Sequence, residues 1–254
     1  MNIDAYLKRI GYHGTRTPNA ETLRRLHHLH MLAVPFENLD IHWGKPIVLE
    51  ERALYEKIVL RQRGGFCYEL NGLFAALLKE LGFNVTLLSA RVVTNGRPGP
   101  EFDHLTLLVH LQERWLADVG FGDSFREPLR LDDFGGQLYN GSAYRLLCDG
   151  TQWIMLRQQL GSDWEPKYLF TLQPHSLADF AGMCYYHQTS PQSHFTRKRI
   201  CSRATPEGRV TLSDMRLITT SNGERQERIL SNQEEFAAAL RDHFGFDLDD
   251  AASI

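Results

Sequence analysis

A single break in hydrophobic periodicity limits the folds open to this chain. Behind Cys67, the residues Leu70, Phe74, Leu77, Leu78 and Leu81 recur at the helical period, and Gly82 predicts a stop. From Val85 the spacing changes. VTLLSARVV, HLTLLVHL, RWLADVGFG, YRLLCD and QWIMLRQQL are short and rich in β-formers, with turn signals such as NGRPGP and CDGTQ between them. They predict an antiparallel sheet or small barrel over roughly residues 85 to 175. Ahead of the break the pattern is mainly helical. Thr17-Pro18 reads as a helix start, Leu23, Leu26 and Leu29/His30 follow at helical spacing, and PFENLD (Pro35 to Asp40) reads as a loop. A last zone mixes both types. TLSDMRLITT and ERQERIL flank Ser221-Asn222-Gly223 as a hairpin, and Ser231 with Glu234 forms a capping box for EEFAAALRDHF. With no repeat, low-complexity tract or flexible linker, the zones are expected to pack together as an α+β protein.

Composition narrows the function classes. The 254 residues are 43% apolar and 23% charged, enough for a substantial core, and no apolar run approaches a membrane span. The N-terminal MNIDAYLKRIGYHG lacks the apolar core and small-residue cleavage site of a secretory signal. A net charge of −3 offers no basic field for nucleic acid. Cys67, Cys148, Cys184 and Cys201 lie far apart without a CxxC pair, so they read as reduced thiols of a cytoplasmic protein. No HExxH is present, and His27, His28 and His30 read as part of an ordinary helix with polar faces. No metal is expected.

RGGFCYELNG, beginning at Arg63, places one thiol behind two glycines at a helix start. The helix dipole and free amides there favour a thiolate, and Gly64 and Gly65 leave the sulfur open to approach. A lone cysteine is nevertheless more often a small buried hydrophobe. A base would change that. His104 begins one strand and Asp118 lies in the next. A three-residue loop, Leu111 to Glu113, would pair His110 with Arg114 and bring Asp118 diagonally beside His104. A two-residue loop would throw it to the other face. The residues permit both registers. Chemistry prefers the first, in which an aspartate on one imidazole nitrogen leaves the other to take a thiol proton. Two unrelated sheet residues are the alternative.

RGGFCYELNG resembles the active-site motif of the arylamine N-acetyltransferases, the family that includes bacterial N-hydroxyarylamine O-acetyltransferases. PFENLD before it, ADVGFG after the histidine strand and SPQSHF (Ser190 to Phe195) match further family motifs in order, so the resemblance runs from about residue 5 to about 247. It implies a helical bundle (1–84), a β-barrel (85–189) and an α/β lid (190–254) around a cysteine-protease-like core. It also implies a catalytic triad of Cys67, His104 and Asp118. The implied reaction is a ping-pong transfer from acetyl-CoA, through a Cys67 thioester, to an arylamine, hydrazine or N-hydroxyarylamine. The Cys67 amide is one donor for the oxyanion.

The same resemblance pairs Glu37 with Arg63 as an ion pair anchoring the loop before Cys67. It puts Phe36, Phe121, Asp123 and Phe125 at the acceptor pocket, and Gly120 and Gly122 where their amides meet CoA or acceptor. Asp103 stands where some relatives carry a CoA-binding threonine, and an acid suits a polyphosphate poorly. Arg197-Lys198-Arg199 reads as a solvated basic patch or a phosphate contact. Many bacterial relatives continue beyond the equivalent of Ile254, so a shorter lid and a more open cleft are expected. A monomer or homodimer is compatible with the sequence. Two other activities fit this set of residues: an amide synthase of macrolactam pathways, and a transglutaminase-like cysteine hydrolase.

Overall fold

The structure, a computed structural model, describes residues 1–139, 141–159 and 161–246. The first layer is helical: α1 (Ile3–Arg9), α2 (Ala20–Ala33), the one-turn α3 (Leu39–His42), and α4 (Glu51–Tyr55), which runs into a π-helical turn over Glu56–Leu60. Its axis is α5 (Cys67–Glu80). Tyr68, Leu70, Leu73, Phe74, Leu77 and Leu78 on α5 are fully buried, because α4 covers one side and the sheet the other. Each such side chain contributes about 1.5–3 kcal/mol. Gly82 closes the helix at φ +87°, donating to the Lys79 carbonyl. Three later helices are α6 (Ala181–Thr189), α7 (His194–Arg197) and α8 (Gln233–Phe244).

The strands, in chain order, are β1 (Phe36–Glu37), β2 (Asn84–Thr94), β3 (Arg97–Pro98), β4 (His104–His110), β5 (Arg114–Ala117), β6 (Leu129–Arg130), β7 (Gln137–Tyr139), β8 (Ser142–Asp149), β9 (Gln152–Gln159), β10 (Glu165–Phe170), β11 (Ile200–Thr205), β12 (Gly208–Ser213), β13 (Arg216–Ser221) and β14 (Glu224–Ile229). Eight of them form a nearly closed antiparallel barrel in the order β6-β5-β4-β2-β10-β9-β8-β7. The two end strands meet through a side chain. Gln137 accepts from the Arg130 amide at 2.8 Å and donates to the Arg130 carbonyl at 2.9 Å, so one carboxamide stands in for a missing ladder pair. The α+β architecture expected from the break at Gly82 is present.

A second sheet, β1-β11-β12-β13-β14, packs Val210, Leu212 and Leu217 against Phe236, Leu240 and Phe244 of α8. Its first strand comes from PFENLD. That segment is therefore not a loop: Phe36 pairs with Ser202 and Glu37 with Cys201, and α3 follows at once.

Other boundaries shift for local reasons. α2 starts at Asn19, whose side chain accepts from the Thr22 amide, rather than at Thr17-Pro18. TLSDMRLITT is two strands, broken at Asp214, which adopts φ +50°. Asn222 and Gly223, both at positive φ, make the expected two-residue hairpin turn. The cap of α8 is Asn232, one residue past Ser231, and its side chain accepts from the Glu235 amide. The histidines of α2 are not a polar face, because His27 and His30 are completely buried. Residues after 246, on which the expectation of a shortened lid rests, lie outside the described residues. Among the described residues no helix is long and apolar enough to cross a membrane.

Candidate active site

Cys67 is the first residue of α5, so its amide has no partner within the helix. The two glycines before it serve packing rather than access to the sulfur. A Cβ on Gly64 would collide with the Pro35 carbonyl oxygen, and one on Gly65 would come within 2.8 Å of the Glu69 carboxylate. That carboxylate accepts from the Phe66 amide at 3.0 Å and so caps the helix from its third position.

The barrel supplies the other two groups. His110 pairs with Arg114, the register of the three-residue loop, and Leu107 pairs with Ala117 at the end of the ladder. His104 and Asp118 then meet: Nε2 lies 2.7 Å from Oδ2, and both residues are buried. Burial works against the charge of Asp118, but the His104 ring beside it and the bonds from Asn71 and the Gly120 amide hold its carboxyl below the usual range. An ionised carboxylate only accepts, so Nε2 carries the proton and Nδ1 is left as the basic nitrogen of the neutral ring. Tyr168 and Phe121 pack against the imidazole with ring centres 5.4 and 5.1 Å away. Cys67 and His104 line one cavity of about 470 Å³. Burial pushes the Cys67 thiol well up, and the carboxylates of Asp103 and Asp118 add to that. Burial works against the help that the helix start gives a thiolate. Ionisation needs a base beside the sulfur.

Asp118 is fixed by residues that the motifs did not single out. Asn71, one turn beyond Cys67, donates from Nδ2 to Asp118 Oδ1 (2.9 Å) and the Leu105 carbonyl (2.6 Å), and its Oδ1 accepts from the Val119 amide. His27 of α2 accepts the Asp118 amide proton at Nε2 (3.1 Å) and donates from Nδ1 to the Arg126 carbonyl (2.9 Å). Those two bonds require the neutral ring, and burial drives His27 down to about 4. The spacing of Cys67 and Asn71 places both on one helix face, a signal open to sequence reading. Nothing in the sequence separates His27 from His28.

This buried imidazole sets a pH dependence. Its pKa is lower in the folded state than its ordinary 6.5, so the unfolded chain binds the proton first. The stability it contributes is complete above pH 6.5 and is lost as pH falls through about 4. Denaturant titrations should show a loss of about 3 kcal/mol across that window. In His27→Leu the slope should be smaller by His27's share, and an unchanged slope would assign it to other groups.

The remaining expected residues divide. Phe36, Phe121, Asp123, Gly122 and Asp103 all line the cavity. Asp123 pairs with Arg157 (3.0 Å) and Arg209 (3.3 Å). Asp103 lies 3.2 Å from His187 of α6. Phe125 does not reach the cavity: it is 1% exposed and stacks on His27, 5.7 Å between ring centres, so it belongs to the barrel core. Gly120 also lines the cavity, but its amide is not open to a ligand, because it donates to Asp118 Oδ1 at 3.0 Å. What glycine provides there is closeness, since a Cβ would lie 2.8 Å from the Cys67 Cα. Of the basic run, Lys198 lines the cavity, while Arg197 donates to the carbonyls of Ser193 and Gln192.

Glu37 and Arg63 are bonded at 2.6 Å and buried, within a larger cluster. Arg63 also meets Asp40 (3.1 Å), and Lys57 meets Asp40 (2.7 Å) and Glu69 (2.8 Å). The Glu37 carboxylate accepts from the Leu39 amide, and the Arg63 guanidinium lies over the rings of Trp43 and Phe246. Burial pushes Glu69 up to about 7 against the pull of Lys57. All four cysteines are free. Among the described residues no group of three or more His, Cys, Asp or Glu is placed to hold a metal.

Residues 19–253 match the family model described as N-acetyltransferase. The arylamine N-acetyltransferase of Escherichia coli (strain K12) is 36% identical over 254 residues, which cover 98% of this chain and 90% of that protein. The arylamine N-acetyltransferase / N-hydroxyarylamine O-acetyltransferase of Salmonella typhimurium is 35% identical over 253 residues, again 98% and 90% of the two chains. Among solved structures, Mycobacterium marinum arylamine N-acetyltransferase in complex with CoA is similar with a TM-score of 0.91 and 32% identity, covering 98% of this chain and 94% of that one.

Proposed function

The chain belongs to the arylamine N-acetyltransferase family, and from that membership we propose that it moves an acetyl group from acetyl-CoA, through a thioester on Cys67, to an arylamine, hydrazine or N-hydroxyarylamine. The observation that carries the mechanism is the bond between His104 Nε2 and Asp118 Oδ2, in a cavity that Cys67 also lines. It leaves Nδ1 to accept the thiol proton as the sulfur attacks the thioester carbonyl. The carbonyl oxygen becomes negative and is met by the Cys67 amide. Collapse expels the CoA thiolate, which takes the proton from the imidazolium. In the second half His104 accepts a proton from the incoming amine, hydrazine or hydroxylamine as its nitrogen or oxygen bonds to the acyl carbon; the carbon–sulfur bond breaks and the imidazolium returns the proton to the Cys67 sulfur. The order is ping-pong because one sulfur serves both halves.

The site suits these substrates. Phe36, Phe121, Val92 and Phe195 give the cavity apolar and aromatic walls, fitting an acyl thioester arm and then an aromatic ring. CoA as donor is supported by the similar M. marinum protein in complex with CoA, and N-hydroxyarylamines by the name of the Salmonella relative. In this reading residues 1–84 bring the nucleophile, 85–189 the base and its carboxylate, and 190–254 the cover, in a cytoplasmic enzyme that needs no metal.

Mass spectrometry of the protein mixed with acetyl-CoA alone tests the proposal. One acetyl group is expected on Cys67, discharged when an arylamine or hydrazine is added. No adduct, with propionyl- and malonyl-CoA also inert, would overturn the acetyl-transfer reading. Release of free acetate without an acceptor at the full catalytic rate would replace it with hydrolysis.

A further inference from the structure

Behind the segment that carries Asp123 lies a second cavity, of about 400 Å³, between β8 and β9 of the barrel and β12 and β13 of the second sheet. It shares Asp123, Arg209 and Thr211 with the cavity containing Cys67, so these residues form the partition between the two.

The charges around it do not balance. Arg126, Arg157, Arg209 and Arg225 line it, with Asp123 the carboxylate among its lining residues. Arg225 shares Glu227 with Arg216. Arg126 donates to the main-chain carbonyls of Pro206 and Gly208, which carry no full charge. Arg157 and Arg209 therefore share Asp123, the one carboxylate of the lining among the described residues, while Glu207 near Arg126 and Glu165 near Arg157 stand outside the lining. Burial pulls the Arg209 guanidinium down, and its neighbours Arg126 and Arg157 pull the same way. Surplus positive charge in a partly enclosed site is costly unless an anion joins it.

An independent observation points to a ligand. Ser124 lines this cavity, and its buried Oγ has no hydrogen-bond partner among the described residues. Leaving such a hydroxyl unpaired costs about 1–3 kcal/mol. A group with acceptor oxygens in the cavity would satisfy it.

We propose that this second chamber binds the oxyanion of a substrate, a carboxylate or phosphate group held by Arg126, Arg157 and Arg209 and by the Ser124 hydroxyl. A phosphate carries a charge of about −1.5 to −2 at neutral pH, which with Asp123 nearly cancels the three guanidinium charges. Arginine's planar fork matches either oxyanion. Because the partition also borders the Cys67 cavity, the anion can arrive on the far end of an acceptor whose nitrogen reaches Cys67, or on a phosphate of CoA. That assignment to a substrate rests on the acetyl-transfer reading, whereas the chamber's affinity for an oxyanion does not.

Isothermal titration of the full chain with inorganic phosphate, at constant ionic strength, tests the chamber. Saturable binding is expected, unchanged in Cys67→Ala. Arg157→Gln should weaken it about tenfold or more, and Ser124→Ala about threefold or more. Ser124→Ala removes only an unpartnered hydroxyl, so it keeps the test valid if the arginine variant fails to fold. No saturable binding, or equal binding in both variants, would overturn the site. Competition then assigns the source. Displacement of phosphate by CoA, or by an aromatic amine bearing a carboxylate but not its neutral analogue, supports a substrate anion. Displacement by neither would overturn the assignment to a substrate, independently of whether Cys67 is acetylated.

Discussion

Asp118→Asn is expected to slow acetylation of Cys67 by about four orders of magnitude while leaving the fold intact. The size follows from the wiring of one carboxylate. Oδ1 accepts from Asn71 Nδ2 and the Gly120 amide, and Oδ2 accepts from His104 Nε2. An asparagine keeps its oxygen toward the two donors on the Oδ1 side, so its NH2 group faces His104. Nε2 must then accept rather than donate, which forces the ring proton onto Nδ1. The nitrogen needed to take the thiol proton is already occupied. The thiol, pushed up by burial, cannot ionise unaided. Rapid-mix mass spectrometry of the acetyl adduct measures the rate, and a thermal melt checks the fold. A fall of less than about tenfold with an unchanged melt would mean that tautomer control by Asp118 is unimportant.

Arg63→Met should cost about 3–5 kcal/mol of folding stability, because it strands buried carboxylates. Glu37 has no exposed surface, and with Arg63 gone its nearest cation is Lys57, at 3.7 Å and already shared with Asp40 and Glu69. The damage should reach the active site through geometry. Arg63, Gly64 and Gly65 lead into Cys67, and the Gly65 carbonyl accepts from the Glu37 amide at 2.9 Å. Urea denaturation gives the stability change. Adding Glu37→Gln should restore about 1 kcal/mol or more of the loss, since the two residues interact directly. Strictly additive effects would show that the pair does not act as a unit.

The sequence was most informative where local rules decide. The helix over Cys67–Glu80, its stop at Gly82 and the strands that follow come from hydrophobic spacing, which burial enforces in the folded chain. Register was legible only through chemistry, since a two-residue loop between β4 and β5 was equally permitted and would have separated His104 from Asp118. Long-range choices were not legible. PFENLD joins a sheet whose other strands lie more than 160 residues later, and no local preference announces a two-residue strand. Phe125 was misplaced because an aromatic beside a pocket and one behind it read alike. His27 was passed over because three histidines close together on a helix look polar, and only the packed barrel reveals which ring is enclosed. Asn71 is the miss that spacing could have prevented.

The clamp on Asp118 has a consequence for how activity is born. The carboxylate is pinned by α2, α5 and β4, pieces made at different moments of synthesis, and by its own turn. Until those pieces dock, the sulfur has no partner to relieve it of its proton. Newly made chains and misassembled ones thus hold an ordinary exposed thiol with no oriented base beside it, so rapid acyl transfer begins only with complete assembly.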